Sequence, residues 1–238
     1  MQTLRFLPML GTAAFLSLTT QTVQAEETSY DFTDFTRIKA GEGIEVTVIS
    51  GTSGYRVTAE AGGFTGTSPL RISQRDDQLT IQRKQRWSPM MGIFDGTLKV
   101  TVELPELSRL SAHAGARVSV SGAVAQEVEF DLSSGSEVTA QGIEAELIYL
   151  DASSGSELEI TGQCQRLDVK ASSGAQIGAY GLRCAAVRTS ASSGADVDIT
   201  ATQSVTAKAS SGGDVSVKGN PSETDFTHAT SGAVRIES

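Results

Sequence analysis

The stretch "DASSGSELEI", residues 151–160, decides the fold of this chain. Its Ser-Ser-Gly looks like a low-complexity linker, yet Leu158 and Ile160 alternate with polar residues directly after the glycine. Side chains of a β-strand point to opposite faces with a period of two. The stretch therefore predicts a bend that leads straight into a strand.

The same pattern recurs in seven copies over residues 111–238. The glycines in register are Gly115, Gly135, Gly155, Gly174, Gly194, Gly212 and Gly232, with gaps of 20, 20, 19, 20, 18 and 20 residues. Alternation on both sides of the glycine, without helical spacing, indicates strands that stack from one repeat to the next. The fold class predicted is all-β: a parallel β-solenoid, that is, a single-stranded β-helix with about 20 residues per coil.

Two bends are predicted in each coil. One is the Ser-Ser-Gly, and the other is a glycine seven residues later, present as Gly122, Gly142, Gly162, Gly181 and Gly219. By parity along the strand, the second serine should point inward and form an internal ladder of Ser134, Ser154, Ser173, Ser193, Ser211 and Ser231. In the last copy Val234 and Ile236 follow their glycine one residue early, which predicts a slipped register or a shorter bend.

The chain divides into three parts. Residues 1–25 are predicted to be a signal peptide, with Arg5, an apolar stretch too short for a membrane span, and a cleavage site after Ala25. Residues 26–105 are an N-terminal β-strand region, irregular and β-rich, which forms either the first coils or a small antiparallel cap. Residues 106–238 form the solenoid with its seven rungs.

The acidic charge narrows the classes of partner. The formal net charge of −9 becomes −10 once Arg5 is removed. Nucleic acids and anionic lipids need Lys and Arg to neutralise phosphate. We therefore expect no nucleic-acid partner. We expect no integral membrane segment in the mature chain either, because the apolar stretch in residues 1–25 is too short to span a membrane.

The histidines and carboxylates offer little chemistry. His113 and His228 fall on the first and last rungs, roughly 29 Å apart, and cannot build one metal site or catalytic triad. An acidic column is predicted at Glu137, Glu157, Asp196 and Asp214, with Gln176 among them. We interpret it as a solvated face, with weak calcium binding as the alternative. No catalytic residue, metal or cofactor is predicted.

Cys164 and Cys184 each stand ten residues before the glycine of their own rung. They should therefore be neighbours on adjacent coils, and export would permit a disulfide between them. The alternative is a pair of buried free thiols.

A loop at residues 83–96, "RKQRWSPMMGIFDG", departs from the strand pattern. Its apolar residues Trp87, Met90, Met91, Ile93 and Phe94 could form a contact patch for a partner. Alternatively, the loop folds back over the open N-terminal end of the solenoid.

Residues 32–238 resemble the head GIN domain family of putative autotransporter adhesins. The motifs that carry the resemblance are "FTRIKAGEGIEVTV" (35–48), "DDQLTIQ" (76–82), "LKVTVELPELSRLSAHAGARV" (98–118) and the "ASSGS" or "ASSGA" rungs. Gly43-Ile44-Glu45 stands where the family name has Gly-Ile-Asn. The resemblance implies a secreted parallel β-solenoid of envelope or surface proteins, and it supplies no catalytic residues.

Two classes of function remain compatible with the sequence. The first is an exported non-enzymatic solenoid, an adhesin or a binding or structural protein of the cell envelope, whose partner is an unknown protein or polysaccharide of the cell surface. The second is a carbohydrate-active β-helix enzyme, although coils of 18 to 20 residues leave no room for a cleft of long loops. A periplasmic structural component that assembles through the solenoid ends is a milder alternative. The expected location is periplasmic or at the cell surface.

Overall fold

A computed structural model describes residues 26–61, 70–83, 98–229 and 231–237. In these ranges every regular element is a β-strand. The strands are β1 (Glu26–Tyr30), β2 (Arg37–Ala40), β3 (Glu45–Ser50), β4 (Arg56–Ala61), β5 (Leu70–Arg75), β6 (Gln78–Arg83), β7 (Leu98–Leu104), β8 (Arg109–Ala112), β9 (Arg117–Leu132), β10 (Glu137–Ala152), β11 (Glu157–Ala171), β12 (Gln176–Ser192), β13 (Asp196–Ser210), β14 (Asp214–Lys218), β15 (Glu223–Ala229) and β16 (Ala233–Ile236).

The repeat forms stacked parallel coils. Strands β9 to β13 each run through a whole coil and pair in parallel with the strand one coil away. Glu137, for example, lies beside Arg117 on one side and Glu157 on the other. The parallel β-solenoid predicted from the sequence is confirmed.

Each coil has three sides, because the long strands bend twice. In β9 the first bend is at Gly122, with a φ of 64°, and the second is where Gln126 and Glu127 are exposed in succession. We call residues 117–121 and their register partners the first face, and residues 123–126 and their partners the third side. The second face comprises residues 127–132 and their partners, including β5, β6, β2, β8 and β15.

The Ser-Ser-Gly corner is a tight turn with two left-handed residues. Ser134 and Gly135 have φ values of 56° and 68°, and the Ser136 N–H donates to the Ser133 carbonyl at 3.3 Å. Positive φ at both central residues is the mark of a type I′ turn. The turns also bond to one another, because the Gly135 N–H donates to the carbonyl of Ser154 in the next coil at 3.1 Å.

This turn makes the expected internal serine ladder wrong. Ser134, Ser154, Ser173, Ser193, Ser211 and Ser231 are all exposed. Two consecutive left-handed residues reverse the chain, so the strand parity assumed across the corner does not hold. The inward positions are taken by the residue after the glycine instead. Ser136 and Ser156 are each 1% exposed, and their hydroxyls donate to the carbonyls of Ala112 at 2.9 Å and Ser153 at 2.9 Å.

The last coil keeps its register, and only its glycine is displaced. Val234 pairs with Val215 and Ile236 with Val217, as in the coils before. The Gly232 N–H donates to Ala229, just as the Gly213 N–H donates to Ser210. Gly232 therefore corresponds to Gly213 rather than to Gly212.

The second predicted bend is also a glycine corner, with two departures. Gly122, Gly142, Gly162 and Gly219 have positive φ, whereas Gly181 does not. Gly162 pairs with Ile143 and Leu182, the residues that follow the corner glycines of the two neighbouring coils. The coil that contains Gly162 therefore has one residue fewer at this corner than the coils on either side. A register shift between Ala140 and Ile143 marks the bulge that results.

The N-terminal region contains coil strands as well as antiparallel strands. β3 lies in parallel between β7 and β9, and β2 lies in parallel between β6 and β8. β1, β4 and β5 pair antiparallel with their neighbours. All 16 strands belong to one continuous sheet. The predicted boundary near residue 105 therefore separates irregular from regular repeats within one sheet.

The interior is a continuous stack of apolar side chains. The second-face column of Phe130, Leu150 and Val169 is at most 2% exposed. In the last coil Phe226 and Val234 are only partly buried, and Ile236 is 51% exposed. At this end of the described sheet β15 and β16 have a neighbour on one side only, as β1 and β5 do elsewhere in it. The end-to-end association expected from the sequence stays a prediction.

The predicted signal peptide, residues 1–25, lies outside the described residues. Within the part of the chain that the structure describes, no helix is long and apolar enough to cross a membrane.

Candidate functional site

The structure joins the two cysteines. Cys164 and Cys184 are register partners on β11 and β12, their Cα atoms are 4.5 Å apart, and their sulfurs are bonded. On this column of the third side, Ala145 precedes them and Ala201 follows them. Small side chains fill the column, so the disulfide ties two coils at a site where little apolar packing is available.

The predicted acidic column lies on the first face, in register from coil to coil. Glu137, Glu157, Gln176, Asp196 and Asp214 are successive partners. Cations flank this run, because Arg117 Nε is 2.8 Å from Glu137 Oε2 and Arg235 Nη2 is 3.8 Å from Asp214 Oδ1. Over the described ranges, no three His, Cys, Asp or Glu side chains are grouped so that they could hold a metal ion.

Two side chains on the first face, Glu159 and Tyr180, have shifted pKa values. Burial, followed by the charges of Glu157 and Asp198, raises the pKa of Glu159. Burial also raises the pKa of Tyr180 to about 12, and Lys218 Nζ lies 3.8 Å above the Tyr180 ring. Both shifts favour the neutral form of the side chain.

The histidines lie at opposite ends of the repeat. His113 sits over Gly41, where an added Cβ would meet the imidazole ring. Burial and the charge of Lys39 lower the pKa of His113. His228 is exposed on β15 in the last coil. The structure does not bring the two together.

The partner-contact loop predicted at Trp87, Met90, Met91, Ile93 and Phe94 falls on residues outside the described ranges. It stays a prediction.

The second face carries a groove that no sequence motif indicates. The groove has a volume of about 950 Å³ and extends over six neighbouring strands, from Glu127 on β9 to Asp225 on β15. At about 4.8 Å between strands, it is about 24 Å long. Its walls are side chains of paired strands, so a ligand would meet a surface that is already rigid.

Tyr149 lies in the acidic half of this groove. Its side chain is 37% exposed, and its register partners are Glu129 and Asp168. Asp151, two residues on, faces the same way. A tyrosine offers a flat apolar ring with a polar tip, which suits it to contact with ligands.

The other half of the groove is mainly basic, with Asp225 at its far end. Lys170 and Lys208 lie on the same column with Ser190 between them, and Arg188 lies on the neighbouring column beside Asp168. Three cationic residues therefore occupy positions next to Ser190. The groove changes sign along the solenoid axis.

Charges in the groove do not pair with one another. Register partners of opposite charge do pair at other positions: Lys99 Nζ is 3.4 Å from Glu45 Oε1, and Glu129, at the edge of the groove, pairs with Arg109 outside it, with Arg109 Nη2 2.9 Å from Glu129 Oε1. Among the residues that the structure describes, no ion pair joins the register partners Asp151 and Lys170, or Asp168 and Arg188. These charges stay available to a ligand.

Comparison with known proteins places the chain in a family. A family model described as "Putative auto-transporter adhesin, head GIN domain" matches residues 34–221. The chain belongs to the head GIN domain family. The family predicted from the Gly-Ile motif and the serine-rich rungs is therefore confirmed. No curated protein was found to match the sequence.

Several solved structures are similar to this head GIN domain chain. A protein from Bacteroides fragilis, titled a putative adhesin, has a TM-score of 0.77 at 17% identity, covering 91% of this chain and 98% of its own. One from Parabacteroides merdae with the same description has a TM-score of 0.67 at 15% identity, covering 92% and 98%. A structure from Parabacteroides distasonis, titled a putative lipid binding protein, has a TM-score of 0.65 at 14% identity, covering 91% and 98%. At these identities the likeness shows a shared fold.

Proposed function

We propose that this head GIN domain protein is an exported, non-enzymatic binding module that attaches through its second-face groove to a polymer of a cell surface. The adhesin-like family suggests an exported cell-surface protein. The observation that carries the proposal is the groove itself, where Tyr149 and unpaired charges line a rigid sheet face.

Binding is favoured over catalysis by the state of the groove residues. Side chains that are rigidly placed, charged and unpaired suit recognition.

The first test replaces Tyr149 with alanine. We expect Tyr149→Ala to weaken binding of the purified protein to intact bacterial cells about tenfold, because tyrosine is enriched among the few interface residues whose truncation costs more than about 1 kcal/mol. Binding is measured as the fraction of labelled protein that sediments with the cells.

The matched control is Tyr180→Ala, which removes the same side chain from the first face of the same solenoid. It should bind cells as the unmodified protein does. Equal binding by the unmodified protein, Tyr149→Ala and Tyr180→Ala would show that the groove is not the binding site. The same mixtures are assayed for new reducing ends with acidic polysaccharides added, and their appearance would favour the carbohydrate-active enzyme.

Location is tested separately with antibody labelling of cells that express the native protein. We expect intact cells to be labelled, because an adhesin has to reach its partner from outside. Labelling confined to permeabilised cells would place the protein in the periplasm. It would favour the structural component that assembles through the solenoid ends.

A further inference from the structure

The charge pattern of the groove indicates which kind of polymer it accepts. Around Tyr149 the outward groups are carboxylates, among them Glu127, Asp151 and Asp168. Lys170 on β11 is the partner of Asp151 one coil along, Arg188 on β12 is the partner of Asp168 one coil along, and Lys208 lies on β13. A ligand of one sign would meet repulsion in half of the groove.

We propose that the groove binds a zwitterionic polysaccharide, a sugar chain that carries both ammonium groups and carboxylate or phosphate groups. This inference rests on the proposed function and names the ligand class of the same site. An ammonium group fits over the Tyr149 ring between Asp151 and Asp168, where a cation is attracted by both the ring face and the carboxylates. A carboxylate or phosphate fits over Ser190 between Lys170 and Lys208, within reach of Arg188.

The spacing of the two halves sets the spacing of the ligand charges. Tyr149 on β10 and Arg188 on β12 are two coils apart, with Asp168 on β11 between them. At about 4.8 Å per coil, opposite charges on the ligand should be about 5 to 10 Å apart along its length. A chain lying along the solenoid axis can place both groups at once.

The lack of ion pairs between neighbouring groove charges favours a zwitterionic ligand over a purely anionic or purely cationic one. Asp151 and Lys170 are register partners, as are Asp168 and Arg188, yet within the described ranges neither couple forms an ion pair. A zwitterionic chain would give each of these four groups an opposite charge. A purely anionic or cationic chain would satisfy only one member of each couple.

A polysaccharide is also favoured over an extended peptide by the place of the groove. The backbone groups of β10 to β13 are already paired with strands on both sides. A peptide binds a sheet most readily by adding a strand to a free edge, which the groove does not offer. Recognition here has to use side chains, and a flat aromatic ring among charged groups suits a sugar ring.

The test compares four size-matched dextrans: neutral, carboxymethylated, diethylaminoethylated, and one that carries both substituents. Biolayer interferometry with the purified protein should show about tenfold tighter binding of the mixed-charge dextran than of either singly charged one. High salt should weaken this binding, since exposed charges are screened beyond about 3 Å at 1 M.

Two variants separate the halves of the groove. Asp168→Asn should weaken binding of the mixed and cationic dextrans and should not weaken binding of the carboxymethylated dextran, for which a repelling carboxylate is removed. Arg188→Ser should weaken binding of the mixed and carboxymethylated dextrans and should not weaken binding of the cationic dextran, for which a repelling guanidinium is removed. The matched controls are Asp196→Asn on the first face and Arg183→Ser on the third side, on the same strand as Arg188. Both should bind all four dextrans as the unmodified protein does.

The outcomes distinguish this inference from the function on which it rests. If cells bind in a Tyr149-dependent way but the mixed-charge dextran binds no better than the singly charged ones, the zwitterionic ligand is wrong and the groove remains the binding site. Unchanged binding by Asp168→Asn and Arg188→Ser would overturn the ligand in the same way. If Tyr149→Ala also leaves cell binding unchanged, both proposals fail.

Discussion

Replacing Gly162 with alanine is expected to destabilise the solenoid by about 3 kcal/mol or more. Gly162 has a φ of 145°, a backbone conformation that side chains resist. An added Cβ would also meet backbone atoms of Ile143, including its carbonyl oxygen. Backbone atoms in a packed sheet cannot move aside as a flexible side chain could, so strain and overpacking add.

Gly155→Ala is the matched control, because it makes the same chemical change in a turn of the same coil. Gly155 has a φ of 67°, and an added Cβ would meet no atom within 4 Å. Only the left-handed backbone is penalised there, by about 1 kcal/mol. Urea unfolding followed by circular dichroism gives both free energies. Equal losses in the two variants would show that the contact with Ile143 is relieved at no cost.

Loss of the disulfide is expected to lower the free energy of unfolding by about 3 kcal/mol. Cys164 and Cys184 close a loop with a sequence separation of 20, and a cross-link of that length restricts the unfolded chain by about this amount. The double variant Cys164→Ala and Cys184→Ala isolates the effect. Alanine already occupies this column at Ala145 and Ala201, so the truncation adds little packing penalty.

Reduction of the unmodified protein provides the control for the double variant. Its urea midpoint under reducing conditions should fall to that of the alanine protein, since both lack the cross-link. A reduced protein as stable as the oxidised one would show that the bond contributes nothing to the folded state. A double variant well below the reduced protein would assign the loss to packing of the sulfurs.

Much of the fold could be predicted from the repeat. Alternation around each glycine identifies strands, and superposition of Leu158 and Ile160 on their equivalents predicts stacking in register. The same superposition placed Cys164 beside Cys184 and aligned Glu137 with Glu157. These are positions separated by whole coils, for which counting residues is sufficient.

Positions inside a corner could not be obtained in this way. The period-two rule holds along an extended strand, whereas Ser154 and Gly155 both adopt left-handed conformations with φ of 55° and 67°. Counting alternate residues through such a turn assigns side chains to the wrong side of the strand. It predicts that Ser154 points inward, whereas the buried serine is Ser156. The dipeptide Ser-Gly carries weaker evidence for a type I′ turn than Asn-Gly or Asp-Gly would.

The groove could not be predicted because its members are far apart in sequence and ordinary in type. Tyr149, Asp168 and Arg188 each look like a solvated strand residue within their own coil. The sequence contains one signal for the groove. Outward residues at equivalent positions of successive coils include carboxylates next to cations, as at Asp168 and Arg188. Whether such neighbours pair with one another depends on side-chain geometry, and a residue pattern does not contain it.

The position of β2 and β3 has a consequence for the order in which the molecule assembles. In the repeat each strand finds its neighbour about 20 residues later, whereas the Ser121 hydroxyl on β9 donates to the Val48 carbonyl across 73 residues. Closing the longer loop costs about 1 kcal/mol more in chain entropy, and β3 has no complete ladder until β9 has been synthesised. β3 is therefore synthesised early but completes its strand pairing late, when β9, which follows it in the chain, has formed.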